Sequence, residues 1–140
     1  MAGERILLVE DNPVNRRLAE FLLRAEGFVV IEATTGEEAL RRARDERPAL
    51  IIMDLQLAGM DGFTATRILK ADATTRDIPV IAMTAYAMSG DRDRALGAGC
   101  DGYITKPIDT REFPLTVRRY LAARTPGEGT PDAPAGPDLG

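Results

Sequence analysis

Five residues of this chain have side chains suited to one piece of chemistry: Glu10, Asp11, Asp54, Thr84 and Lys106. Asp54 closes the run Leu50-Ile51-Ile52-Met53, which is bounded by Pro48 before and by Gly59 and Gly62 after. Such an apolar run reads as a strand buried on both faces. A carboxylate inside it would be costly to bury, but at its C-terminal tip the group lies in the crevice where open α/β sheets hold ligands. Glu10-Asp11 follow a second apolar run, Thr84 ends a third, and Lys106-Pro107 follow a fourth. The tips of parallel strands share one edge, so residues far apart in sequence converge in space. Three carboxylates brought together repel, and each raises the others' pKa. A hard divalent cation relieves this, and oxygen-only ligands without His or Cys point to Mg²⁺. An acidic cluster around Mg²⁺, flanked by the Lys106 ammonium and the Thr84 hydroxyl, suits a phosphoryl group. The cation and the Lys neutralise charge on its equatorial oxygens during transfer.

The elements that must position these residues follow from hydrophobic periodicity. Five short apolar runs, at Arg5–Val9, Phe28–Ile31, Ala49–Met53, Pro79–Met83 and Gly102–Thr105, alternate with helix-period segments. That alternation predicts βα units on a parallel sheet. Asn12 caps a first helix with Pro13 at its first position, an apolar stripe of Val14, Leu18, Phe21, Leu22 and Ala25, and Gly27 as its stop. Thr35-Gly36-Glu37-Glu38 is a capping box for a second helix that turns Ala39, Leu40 and Ala43 inward. A third helix follows Asp61-Gly62 and buries Ala65, Ile68 and Leu69. The fourth, from about Ser89 to Leu96, has few apolar anchors and is ended by Gly97 and Gly99, which makes it a candidate for movement. Asp109 looks like a cap for the last helix, but Pro114 disfavours a helix interior. Regular helix is therefore expected from about Pro114 to Ala123, burying Leu115, Val117 and Leu121.

Composition narrows the function classes. At 140 residues, 44% hydrophobic and 29% charged, the chain suits one globular domain with a real core. A net charge of −4 without a long basic block gives no argument for nucleic acid as a direct ligand. No apolar run approaches the ~20 residues of a membrane span. The first strand starts within a few residues of Met1, leaving no expected room for a signal peptide. A single cysteine, Cys100, fits a reducing cytoplasm, and it reads as a small buried filler. The absence of His removes a His base, a His metal ligand and a phosphohistidine carrier within this chain. Residues Thr125–Gly140 hold four prolines and four glycines and are expected to form a disordered tail after a domain over 1–123, with 124–140 outside it.

The pattern Glu10-Asp11, Asp54, Thr84-Ala85 and Lys106-Pro107, at these spacings, resembles the receiver domain of two-component response regulators. The likeness covers about residues 4–123. The texture of Glu10-Asp11-Asn12-Pro13-Val14-Asn15 and Met83-Thr84-Ala85-Tyr86-Ala87-Met88 is most similar to hybrid-kinase receivers and single-domain cell-division regulators of the DivK type. The resemblance implies a flavodoxin-like α/β fold, a (βα)5 doubly wound parallel five-stranded sheet with strand order 2-1-3-4-5. It implies that Asp54 accepts a phosphoryl group from a phosphohistidine on a histidine kinase or histidine phosphotransfer protein. Asp11, Asp54 and the backbone carbonyl of Gln56 would ligate Mg²⁺ directly, with Glu10 acting through water. Lys106 would pair with the phosphoryl oxygens, which Thr84 and Ala85 also bind. Tyr103 would be the aromatic switch that turns inward when Thr84 is engaged, and the Lys106–Pro107 peptide would be cis.

The expected activity is that of a switch, an enzyme only toward its own phosphorylation and dephosphorylation. The surface of the fourth helix, fifth strand and fifth helix would bind a downstream protein, the chain being a monomer or weak dimer in the cytoplasm with no nucleic-acid or membrane partner. Two departures from the family pattern stand out: Ala58 replaces the usual proline four residues after the phosphoacceptor, and Glu10 replaces an Asp. Gln56 and Tyr86 occupy positions that tune dephosphorylation in the family. Singly, each site residue has an ordinary reading: a cap for Asp54, a favourable helix-dipole contact for Glu10 and Asp11, a solvated charge for Lys106, a strand end for Thr84, a strand aromatic for Tyr103. Arg16 and Arg17 are read equally as a solvated helix face or as a contact to an acidic partner. The alternatives are a phosphorylation-independent pseudo-receiver, which predicts an eroded site, and a receiver fragment of a larger hybrid kinase or response regulator. An aspartyl-phosphate phosphatase wants a second Asp where Gln56 stands, and a flavin protein would set the cofactor phosphate against the acids.

Overall fold

A computed structural model of the chain describes residues 3–85 and 90–123. Strands β1 (Arg5–Val9), β2 (Val29–Ala33), β3 (Leu50–Asp54), β4 (Val80–Thr84) and β5 (Gly102–Thr105) alternate with helices α1 (Pro13–Ala25), α2 (Gly36–Glu46), α3 (Gly62–Ala71), α4 (Asp91–Ala98) and α5 (Glu112–Ala123). The sheet is parallel throughout, in the order β2-β1-β3-β4-β5. This is the doubly wound, flavodoxin-like architecture expected from the sequence. Strands β3 and β4 each extend to their polar last residue, so Asp54 and Thr84 close the ladder.

Alternation along each strand divides the core between the two faces. Ile6, Leu8, Leu50, Ile52, Ile81 and Met83 pack with Ala19 and Leu23 of α1 and with Phe113 and Val117 of α5. Leu7, Val9, Ile51, Met53, Val80 and Ala82 pack with α2, α3 and α4 on the other side. Each large aliphatic side chain so buried contributes about 1.5–3 kcal/mol relative to exposure.

The helix starts follow their caps. Asn12 Oδ1 accepts from Val14 N at 2.9 Å and Asn15 N at 3.0 Å, and Thr35 Oγ1 accepts from Glu38 N at 3.0 Å. The Glu38 carboxylate reaches back to Thr34 N at 2.9 Å, which completes a box around the start of α2. Asp109 Oδ1 accepts from Arg111 N and Glu112 N, so α5 begins at Glu112 rather than at Pro114. Pro114 then lies in the first turn of α5, where its fixed φ is tolerated, and Phe113 N donates to Asp109 O at 2.9 Å just before it. Helix α4 runs Asp91–Ala98 with Gly97 inside it and Gly99, at φ 108°, closing it; its expected start at Ser89 lies outside the described residues. Ala95 and Ala98 are the α4 side chains described as buried.

The buried face of α1 differs from the expected stripe. Val14 is 72% exposed and Phe21 69%, and Leu18 also faces outward, whereas Ala19 and Leu23 are buried. Ala19 and Leu23 pack against the side chains of Ile6, Leu8 and Ile52, with Leu22 partly buried beside them. Ile68 and Leu115, expected inside, are likewise exposed, and their places are taken by Phe63, Thr66 and Phe113. Among the described residues no helix is long and apolar enough to cross a membrane. The stretch 124–140, expected to be disordered, and Tyr86, Ala87 and Met88 lie outside the described residues.

Gly62 opens α3 against the end of β3. A Cβ there would lie 2.4 Å from the Asp54 carbonyl oxygen and 2.8 Å from Leu55 Cα, both backbone atoms with no rotamer to yield. Gly62→Ala is expected to destabilise the protein by about 1–3 kcal/mol through overpacking. Urea unfolding checks this, and an unchanged midpoint would mean that α3 can back away from the strand without cost.

Candidate functional site

The strand tips bring the acids together through register and pleat. Val9 pairs with Met53 between β1 and β3, so one step further sets Glu10 beside Asp54. Glu10 continues the row of Ile6 and Leu8, and Asp54 that of Leu50 and Ile52, so by alternation both point to the same face. Carboxylate oxygens of Glu10, Asp11 and Asp54 all lie within 4.8 Å of one another. Glu10 is 0% and Asp54 1% exposed.

Lys106 enters from the tip of β5. Its Nζ is 3.0 Å from Asp54 Oδ1 and 3.4 Å from Glu10 Oε1. Its own backbone N–H donates to Thr84 O at 2.8 Å, which ties the Lys to the end of β4. The Lys106–Pro107 peptide is cis. One ammonium thus faces both buried carboxylates. Burial, then a hydrogen bond shared with Asp54 and repulsion from its charge, push the Glu10 carboxyl up to about 7; the Asn12 N–H and Lys106 oppose that rise.

A backbone N–H holds one oxygen of each carboxylate. Asn12 N donates to Glu10 Oε2 at 3.1 Å, Gln56 N to Asp54 Oδ1 at 3.0 Å, and Ala58 N to Asp11 Oδ2 at 3.2 Å. Glu10 Oε1 is buried without a hydrogen-bond partner. A buried oxygen left in that state, within an all-oxygen cluster of excess negative charge, fits a hard divalent cation and its waters. Ala58, in place of the proline usual at that position of the pattern, uses an N–H that proline lacks to hold Asp11.

Thr84 is buried at the end of β4, and Tyr103 is half-buried on β5 with the Arg92 guanidinium 5.4 Å from its ring centroid. Arg16, one of two arginines considered for a partner, donates to Glu10 O at 3.2 Å and lies 3.7 Å from Glu32, so it braces the loop beneath the acids. Cys100 is buried, with its thiol pushed up in pKa by that burial and directed at Thr66.

Two residues acquire roles that sequence reasoning missed. Gly62 lets α3 approach the Asp54 carbonyl; its only signal was a glycine directly after an Asp cap, where a better helix former would do. The Gln56 side chain bridges to Thr84 and Ala85, 28 and 29 positions away, a contact with no local signal at all.

Comparison with known proteins agrees with this geometry. The profile of the response regulator receiver domain matches residues 6–118. The polar-differentiation response regulator DivK of Brucella anthropi is 46% identical over 116 residues, covering 83% of this chain and 94% of that protein. The receiver domain of sensor histidine kinase PA1611 from Pseudomonas aeruginosa, solved with a magnesium ion coordinated in its active site cleft, superposes with a TM-score of 0.81 at 41% identity, over 86% of this chain and 99% of that one. The chemotaxis response regulator CheY4 of Vibrio cholerae, at 24% identity, has the same fold, with a TM-score of 0.79 over 84% of this chain and 98% of its own.

The raised Glu10 pKa makes metal-free stability depend on pH. A carboxyl whose folded pKa lies above its unfolded value contributes stability below about 4.5, and that contribution is lost as pH rises through about 7. In a chelator, thermal stability is therefore expected to fall between pH 5 and 8, by on the order of a few kcal/mol. Glu10→Gln should flatten that fall, as melting curves across the range will reveal. An equally steep fall in the variant would assign the titration to another group.

Proposed function

The chain belongs to the response regulator receiver family, and from that membership we propose that it is a phosphorylation-activated switch whose phosphoacceptor is Asp54. The observation that carries this reading is the Lys106 Nζ lying 3.0 Å from the carboxylate of Asp54, with Glu10 and Asp11 gathered around the same carboxylate.

An Asp54 oxygen attacks the phosphorus of a phosphohistidine on a histidine kinase or phosphotransfer protein. The P–N bond breaks and its electron pair stays on the imidazole nitrogen, which leaves as the lone-pair nitrogen of a neutral ring whose other nitrogen carries the proton. Asp11, Asp54 and the Gln56 backbone carbonyl would hold Mg²⁺, with Glu10 joined through water. Bound there, the ion neutralises charge on the phosphoryl oxygens. Lys106 holds the attacking carboxylate in place and then pairs with a phosphoryl oxygen. The Thr84 hydroxyl and the Ala85 N–H donate to the others. Drawing Thr84 toward the new charge leaves room for Tyr103 to turn inward, which changes the surface of α4, β5 and α5. That surface binds a downstream protein. Small apolar anchors make α4 the least costly element to shift. The receiver domain ends at Ala123, and the protein works in the cytoplasm.

Incubation with acetyl phosphate and Mg²⁺, read by intact mass, tests the proposal. One phosphoryl adduct is expected on the wild type and none on Asp54→Asn. A folded protein that never gains mass would instead be a pseudo-receiver that binds partners without phosphorylation. Lys106→Ala is expected to load roughly tenfold more slowly or worse at saturating Mg²⁺, the loss of one charge-assisted contact. It should also leave the amide signals of β5 unmoved on loading. Wild-type loading rates in that variant would remove Lys106 from the mechanism.

A further inference from the structure

We infer that the side-chain amide of Gln56 is a placeholder for the phosphoryl group, holding the unloaded pocket in its resting arrangement until it is displaced. The inference rests on the reading of Asp54 as phosphoacceptor and adds a positioning residue to it. Gln56 Nε2 donates to Thr84 Oγ1 at 3.3 Å, and Gln56 Oε1 accepts from Ala85 N at 3.4 Å. These are the two groups proposed to grip the phosphoryl oxygens. The Gln56 backbone N–H meanwhile donates to Asp54 Oδ1 at 3.0 Å, which fixes the residue directly over the acceptor carboxylate.

A phosphoryl group offers oxygens that accept. In the resting pocket the Ala85 N–H is already directed at an oxygen, that of the Gln56 amide, while the Thr84 hydroxyl receives a proton from the same amide. A carboxamide can donate to one partner and accept from the other, and Gln has the length to reach both from this loop. Loading Asp54 therefore requires an exchange. Ala85 releases the amide oxygen for a phosphoryl oxygen, and Thr84 turns from acceptor to donor. Both bonds are long and neutral, so the exchange is inexpensive but not free. The amide also ties the end of β4 to the loop after β3, so its release frees the Thr84 segment to move only when a phosphoryl group is there to receive it.

Beryllofluoride, which binds an aspartate as a phosphoryl mimic, provides the test. It is titrated at saturating Mg²⁺ against the wild type and against Gln56→Met, which keeps the side chain's length and lacks both hydrogen bonds. The variant is expected to bind the mimic roughly threefold to tenfold more tightly, the net worth of the contacts that no longer need displacing. Hydrogen exchange at the Ala85 amide should quicken in the unloaded variant and equal the wild type once the mimic is bound. Gln56→Ala should behave alike if the methionine is poorly accommodated. Unchanged or weaker binding, with exchange at Ala85 unaltered, overturns the inference while leaving the switch intact. A wild type that neither binds the mimic nor takes up a phosphoryl group overturns the switch, and the placeholder with it.

Discussion

Buried like charge is the constraint from which this molecule's design follows. Glu10 and Asp54 lie side by side with almost no access to water, Asp11 stands within reach of both, and one lysine faces the group. Such an arrangement opposes folding when nothing else neutralises it. It persists because the rest of the chain supplies a large apolar core on both sides of a five-stranded sheet. The strain shows in the elevated pKa of Glu10 and in an oxygen of that residue left without a hydrogen bond. A pocket poised in this way gains most from a ligand that brings positive charge.

The parallel sheet makes the pocket possible. Strands that run the same way deliver their last residues to one edge, and pleating decides which face each side chain takes. Glu10 and Asp54 meet because β1 and β3 are neighbours in step. Lys106 reaches across from β5, with its backbone hydrogen-bonded to Thr84 of β4. Gly62 completes the frame by admitting α3 against the carbonyl of Asp54. The backbone N–H groups of Asn12, Gln56 and Ala58, which donate to the three acids, lie two to four residues beyond a strand tip. The loops are thereby shaped by the charges they enclose.

Much of this was legible in the amino-acid order. Apolar runs ending in Asp54 and Thr84 announced buried strands with polar tips, and the alternation of strand and helix announced a parallel sheet. That the five candidate residues gather at one edge of the sheet was legible because their positions relative to strand ends agree. Helix faces were less so. In α1 the large side chains Val14, Leu18 and Phe21 form an apolar stripe, yet the sheet is met by Ala19 and Leu23, because periodicity alone does not say which of two apolar faces turns inward. Pro114 suggested a later start for α5 than Asp109 imposes, because proline is compatible with a first turn and the cap decides where that turn lies. The bridge from Gln56 to Thr84 and Ala85 joins two loops and has no periodic signature.

The central claim is that acids remote in sequence share one ion. Anomalous diffraction from crystals soaked in Mn²⁺, a stand-in for Mg²⁺ with a usable absorption edge, addresses it directly. The account predicts one strong peak between Asp11 and Asp54, with Glu10 within a water's reach of it. A map with no peak at that edge of the sheet, or with the ion held elsewhere and Glu10 Oε1 still without a hydrogen-bond partner, would contradict it.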